Sequence, residues 1–183
     1  MHLRGVSWED YERVLAMRGD ESAPRIAYLD GVLEIMSPSV HHESVKSNIG
    51  CLVEIWMEER GLDYRKLGSW TLENAAAKKA AEPDECYAFD VTSDAPTRPD
   101  LVIEVVWTHG ETDKLAVYAA VGVPEVWYWE KGAIRVHVLR DGEYVESPHS
   151  EALEGIDLPL LASFLDRANT SAAKREYRAA LGR

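Results

Sequence analysis

The sequence predicts a mixed α/β fold, a mixed β-sheet flanked by helices with additional β-hairpins. Three features carry this expectation. Apolar residues recur at helical spacing in separate segments, β-like runs are joined by Asp-Gly and Lys-Gly pairs, and a short helical segment links two strand-like runs between residues 100 and 130. A helix joining two strands usually makes them parallel neighbours through a right-handed crossover. The run "DLVIEVV", with Glu104 inside it, is therefore expected at the centre of a sheet covered on both faces.

The elements follow in order. "SWEDYERVLAM" opens with Ser7 as a capping residue and Asp10 three positions on, a short-chain capping box, and its apolar Trp8, Tyr11, Val14 and Leu15 fall on one helical stripe. "RIAYLDGVLEIMS" reads as a hairpin around Asp30-Gly31, the favoured two-residue turn. A second helix runs from about His41 to Arg60, with Val45, Ile49, Leu52, Val53 and Trp56 on one face and Gly61 ending it. Strand-like runs come near 63–72, 85–91 and 100–107, and between the first two "ENAAAKKAAEPDE" reads as a loop or exposed turn whose alanines bury little. "GETDKLAVYAAVG" is a short helix closed by Gly122 and Pro124, and "VPEVWYWE" resumes the sheet. Two further hairpins turn at Lys131-Gly132 and Asp141-Gly142.

At 183 residues and 46% hydrophobic composition, the chain is expected to form one domain over 1–183, with its core at about 8–165 and a basic helical tail at 167–183. It has no 18-residue apolar stretch, and its N-terminus lacks the apolar region of a signal peptide, so a soluble, cytoplasmic protein is expected. Cys51 and Cys86 form neither a CxxC pair nor a disulfide framework, which points to two reduced core cysteines and against redox chemistry or a structural zinc. The net charge of −12 repels phosphate and argues against a dedicated, tight nucleic-acid binder. Charge is uneven, however. Arg167, Lys174, Arg175, Arg178 and Arg183 face only Glu176 in the tail, a local +4 that reads as a solvated helix end.

Within this frame the acids stand out. Strand side chains alternate, so Asp100, Val102 and Glu104 share one face while Leu101, Ile103 and Val105 share the other. An ionised carboxylate inside a buried strand costs several kcal/mol unless a cation, a metal or hydrogen-bond donors satisfy it. A structural salt bridge at a sheet edge is the plainer explanation for Glu104. A second acid changes the balance: Asp84, in "EPDECY", follows a proline at the start of the preceding run, and if the two runs pair, Asp84 and Glu104 converge. Two hard carboxylates, with waters and a substrate phosphate, suit Mg²⁺ or Mn²⁺. Lys114, at the start of the following helix, can bring an ammonium over such a site, and these parts together perform phosphodiester hydrolysis. Asp100 also follows a proline and competes with Asp84 for the role of first acid. His42 and Glu43 fall in the first turn of the second helix and could face the same cleft, although His41 competes with His42. Glu34, in "GVLEIM", is either a structural acid or one at the mouth of the site. Trp107, Trp127 and Trp129 read as strand packing rather than base-stacking groups. No GxGxxG, Walker A, GxSxG or HExxH pattern occurs.

"EPD", followed about 20 residues later by "PDLVIEV" and then by "KLAVYAAVGVPEVWYW", resembles the Uma-two family of the PD-(D/E)XK nuclease superfamily. The likeness extends to "YLDGVLEIMSPSVHHESVKSNIGCLVE" and "HVLRDGEYV", covering roughly residues 8–165. It implies a restriction-endonuclease-like core, Mg²⁺-dependent cleavage of DNA to a 5′-phosphate and a 3′-hydroxyl, and a homodimer. It also implies Asp84 and Glu104 as the metal-binding acids, Lys114 as the catalytic lysine and a histidine at the position of His42. One departure matters: the superfamily lysine usually stands two residues after the glutamate, where this chain has Val106, so Lys114 would be a lysine relocated to the helix. Two other readings remain, an inactive nuclease-like binding or regulatory module and a metal-dependent phosphoesterase acting on a small substrate. The nuclease reading carries the expectation that Glu104→Ala abolishes cleavage with the fold intact.

Overall fold

The computed structural model describes residues 1–19, 21–92, 95–106 and 112–182. In chain order the elements are β1 (His2–Arg4), α1 (Trp8–Arg18), β2 (Arg25–Leu29), β3 (Val32–Met36), α2 (Val40–Glu59), β4 (Arg65–Lys66), β5 (Leu72–Asn74), β6 (Lys79–Ala81), β7 (Glu85–Ala88), β8 (Leu101–Val106), α3 (Lys114–Val121), β9 (Glu125–Glu130), β10 (Ala133–Arg140), β11 (Glu143–Ser147), α4 (Leu158–Ala162) and α5 (Thr170–Leu181). The strands form two sheets. An antiparallel sheet runs β1-β3-β2-β6-β5, and a mixed sheet runs β11-β10-β9-β8-β7-β4, parallel at β8/β9 and antiparallel elsewhere.

Local chemistry sets the ends of these elements. Ser7 Oγ accepts the Asp10 N–H at 3.1 Å and its hydroxyl donates to Asp10 Oδ2 at 2.8 Å, which starts α1. Ser39 accepts the His42 N–H at 3.2 Å to start α2, and Asp113 accepts the Leu115 N–H at 3.1 Å to start α3. The β2–β3 turn holds Asp30 at φ 49° and Gly31 at φ 80°, the two positive values that a twist-matched hairpin requires.

Three apolar layers result. Val45, Ile49, Val53 and Trp56 of α2, with α4 and α5 beside them, pack on the Leu101, Ile103 and Val105 face of β8 and on Trp127 and Trp129 of β9. Val117 and Tyr118 of α3 pack with Val102 on the other face, together with Ala27, Leu72 and Ala81 of the antiparallel sheet. Trp8 and Tyr11 of α1 cover the far side of that sheet against Ile26, Tyr28 and Leu33. Strand β8 is thus buried on both faces, which is why it reads LVIEVV without a polar face.

Several expectations are refined. The strand-like region near 63–72 is mostly irregular, with β4 at Arg65–Lys66 and β5 beginning at Leu72. The alanine-rich segment is a hairpin rather than a loop: β5 and β6 pair with Leu72 opposite Ala81, and Ala80 and Ala81 are 1% and 0% exposed. Small side chains let this hairpin sit close against α3. The basic tail forms α5, which packs through Tyr177 onto the α2 side; Arg178 reaches Glu59 at 2.7 Å and Glu58 at 3.4 Å, and Arg167 reaches Glu176 at 3.8 Å. Both cysteines are free, Cys86 buried and Cys51 half-buried, and burial pushes the Cys86 thiol up to about 12. Trp107, Gly110, Glu111 and Arg183 lie outside the described residues. Among the described residues no helix is long and apolar enough to cross a membrane.

Candidate active site

The site forms just before the start of β7, beside the second half of β8. Glu85 lies opposite Ile103, so the antiparallel register carries Asp84 alongside Glu104, on the face turned toward α3. Directly opposed side chains stand roughly 5 Å apart at Cβ. Because β7 begins at Glu85, the N–H of Val105 has passed the end of its partner strand; Asp84 Oδ2 accepts it at 2.7 Å. Asp84 therefore takes the place of a missing strand residue, and its carboxylate is fixed by the β8 backbone.

Asp84 is 1% exposed and draws donors from two further directions. Arg25, reaching across from β2, bonds Oδ1 through Nη1, which also donates to the Pro83 carbonyl at 3.0 Å. His42, from the first turn of α2, places Nε2 at 3.2 Å from Asp84 Oδ2 and 3.1 Å from the Val105 carbonyl. Burial pushes the Asp84 carboxyl up, but the His42 hydrogen bond and the Lys114 and Arg25 charges outweigh it and hold it below its ordinary value. For His42 burial acts the other way and favours the neutral ring, yet Asp84 wins and the imidazole is raised.

Glu104 is 3% exposed. Lys114 Nζ donates to Oε2 at 2.8 Å and to Oε1 at 3.0 Å, and the Tyr118 hydroxyl donates to Oε1. Lys114 and Tyr118 are four residues apart on α3, hence on one helix face. Burial pushes the Glu104 carboxyl up against the pull of Lys114, and the Asp84 charge pushes the same way. Burial favours neutral Lys114, but the Glu104 and Asp84 charges hold its ammonium above the ordinary value. The site thus interleaves two acids with two cations, Arg25 on Asp84 and Lys114 on Glu104.

Of the residues singled out in the sequence, Asp84, Glu104, Lys114 and His42 meet here, and His42 rather than exposed His41 turns inward. Glu43 lies on the rim, 45% exposed at its side chain, with Oε1 at 3.5 Å from both His42 Nδ1 and Arg25 Nη2. Glu34 lines a small cavity together with Arg25 and Lys114 and faces His2 Nε2 at 3.4 Å. Asp100 is not part of the group. It stands at the start of β8, roughly 13 Å along the strand from Glu104, and accepts the Phe89 N–H at 2.9 Å. Sequence reasoning missed Arg25 and Tyr118. The four-residue spacing from Lys114 could have flagged Tyr118, whereas nothing local marks Arg25.

Oxygen donors for a hard cation are present in Asp84, Glu104 and the Val105 carbonyl. Among the described residues no cluster of three or more His, Cys, Asp or Glu side chains forms a metal cage. Mg²⁺ commonly uses one or two carboxylates and completes its shell with water and substrate oxygens, so this donor set fits it in kind.

The fold defines a class, the restriction-endonuclease-like α/β proteins. A solved structure described as a putative nuclease belonging to DUF820, from Anabaena variabilis, superposes with a TM-score of 0.55 at 12% identity, over 94% of this chain and 99% of that one. The Uma2 family model, described as "Putative restriction endonuclease", matches residues 8–168, and the chain belongs to that family. No curated protein matches the chain.

Proposed function

We propose that the protein is a Mg²⁺- or Mn²⁺-dependent endonuclease that hydrolyses DNA phosphodiester bonds. The observation that carries this reading is the side-by-side placement of two buried acids, Asp84 and Glu104, with Lys114 bonded to the second. In this proposal Asp84, Glu104 and the Val105 carbonyl hold the metal, which when bound supplies a Lewis acid and an acidified water. Asp84 is kept ionised by His42, Lys114 and Arg25 and is fixed by the Val105 N–H, so its carboxylate is already placed to act as a ligand. Lys114 keeps an ammonium beside Glu104, where it can orient a water and offset charge developing on the phosphate. Tyr118 holds Glu104 in place from the same helix face, and His42 ties the start of α2 to Asp84 and the β8 backbone. With the reading go a homodimer, a cytoplasmic setting and a single domain over 1–183.

The test is a calorimetric titration of Mn²⁺ into the wild type and Asp84→Asn, with plasmid cleavage assayed on the same samples. Metal binding and cleavage in the wild type, both lost in the variant, support the nuclease. One observation favours a second reading: both acids are already neutralised by Arg25 and Lys114, as in a structural ion-pair network. Absence of binding and cleavage in the wild type would assign the protein to a nuclease-like binding or regulatory module. Competition by short phosphate esters would mark a small-substrate phosphoesterase.

A further inference from the structure

Arg25 belongs neither to the β7-β8 pair nor to α3; it reaches the site from the antiparallel sheet, and its side chain is 5% exposed. Its bond to Asp84 Oδ1 occupies a position that a divalent cation would need. The other carboxylate oxygen is less free to change partners, because Oδ2 caps the Val105 N–H at 2.7 Å and faces His42 Nε2 at 3.2 Å. Releasing Oδ2 would undo the end of β8, whereas releasing Oδ1 costs only the Arg25 contact. The neighbouring cavity, lined by Arg25, Glu34, Met36, Glu82 and Lys114 among others, holds about 10 Å³, room for about one water and not for a hydrated cation. Arg25 has somewhere to go. Its Nη2 stands 3.5 Å from Glu43 Oε1, a distance too long for a good hydrogen bond, on a side chain that is 45% exposed and can move to meet it.

We propose that Arg25 is an exchangeable counter-ion of Asp84, and that a divalent cation enters by taking Oδ1 from its guanidinium, which shifts toward Glu43. The inference rests on the metal-dependent reading above and assigns Arg25 a positioning role within it. A guanidinium and a divalent cation a few ångströms apart repel one another, so Arg25 weakens metal binding in the resting protein. Once displaced toward the rim, its planar fork is exposed to an incoming phosphate, which it can grip through two parallel hydrogen bonds.

The experiment is a Mn²⁺ titration by calorimetry, together with thermal unfolding with and without millimolar Mn²⁺, on the wild type, Arg25→Gln and Arg25→Lys. Glutamine keeps a donor for Asp84 without the charge; lysine keeps the charge without the fork. Arg25→Gln is expected to bind Mn²⁺ on the order of ten-fold more tightly than the wild type, since a nearby like charge is gone. It should also melt lower without metal and gain more from Mn²⁺ than the wild type does. Arg25→Lys should return both properties toward wild type. The thermal readout keeps the test informative if Arg25→Gln is much less stable, because the gain on adding metal is what counts. Equal or weaker Mn²⁺ binding by Arg25→Gln, with a wild type that binds, overturns the role of Arg25 and leaves the nuclease reading standing. Absence of Mn²⁺ binding by all three proteins overturns both.

Discussion

The ion pair between Glu104 and Lys114 should behave as one energetic unit, and a double-mutant cycle measures this. Lys114 Nζ lies 2.8 Å from Glu104 Oε2, so at an effective dielectric constant near 20 the attraction is about 6 kcal/mol. Taking two ions out of water costs several kcal/mol each, which offsets most of that gain. Removing one partner then leaves the other uncompensated, at about 3–5 kcal/mol. Glu104→Gln should fall at the low end, because Tyr118 can still donate to the amide oxygen and Lys114 still has Asp84 nearby. Lys114→Met should fall at the high end, since it leaves Glu104 buried beside Asp84 with only the Tyr118 hydroxyl to offset its charge. The double variant should cost no more than about the worse single, which implies a coupling of about 3 kcal/mol or more. Urea unfolding followed by tryptophan fluorescence, with unchanged denaturant slopes, reads all four proteins. Additivity within about 0.5 kcal/mol would show the two groups to be independent and refute the reasoning. The cycle also shows why Glu104→Ala is a poor test of catalysis: it strands a buried lysine, so lost cleavage could not be separated from lost stability.

Other perturbations probe the same physics. Tyr118→Phe removes a donor from a buried carboxylate and should cost about 1.5–3 kcal/mol in chemical unfolding; a loss under about 0.5 kcal/mol would mean that the hydroxyl is not holding Glu104. His137 packs edge-on to Tyr128 with ring centroids at 5.3 Å, and burial holds its imidazole below the ordinary value. A depressed imidazole favours the fold above the ordinary value of about 6.5 and loses that advantage as pH falls through it. The wild type should therefore lose stability relative to His137→Leu on acidification from neutrality; a pH-independent difference would contradict this.

Legibility tracked the range of the interactions. The Asp30-Gly31, Lys131-Gly132 and Asp141-Gly142 hairpins were readable because positive φ is a local demand. The faces of β8 followed from alternation alone. The Asp84–Glu104 convergence needed one further assumption, that neighbouring strand runs pair, and they do. Arg25 was invisible because its partner lies 59 residues away and on another sheet. Which strands leave the main sheet to form a second one is decided by edge pairing, which periodicity does not encode. Glu125 sharpens the point. It too is a buried acid in an apolar strand, 1% exposed, yet it accepts from Trp127 Nε1, Ser150 Oγ and the Glu151 and Ala152 N–H groups at 2.5–3.0 Å. Neutral donors from its own strand and one loop satisfy it, which is a structural end-stop. A buried strand acid is thus not a site by itself; Glu104 differs from Glu125 in having a second acid and a lysine beside it, and that company is spatial before it is sequential.

The acidic composition finally constrains how such a site could meet DNA. Around it stand Arg25 and Lys114, both inside, and Lys46, 17% exposed at its side chain and held 3.4 Å from Glu43. The tail arginine Arg178 is turned onto α2. A net charge of −12 leaves little for broad phosphate contact. Proteins that neutralise six to ten phosphates lose about 10³–10⁵ in affinity between 50 and 200 mM salt. This protein should lose far less, under about ten-fold over that range at saturating Mg²⁺, because few counterions are released and screening relieves the long-range repulsion. Fluorescence anisotropy with a labelled duplex and the wild type, with Ca²⁺ in place of Mg²⁺ where cleavage intervenes, gives the slope directly. A steep slope would mean that lysines and arginines far from the site bind the backbone, and that the net charge misleads about the surface DNA meets. A shallow one would place recognition in the cleft itself, where the metal, Arg25 and Lys114 meet a single phosphate.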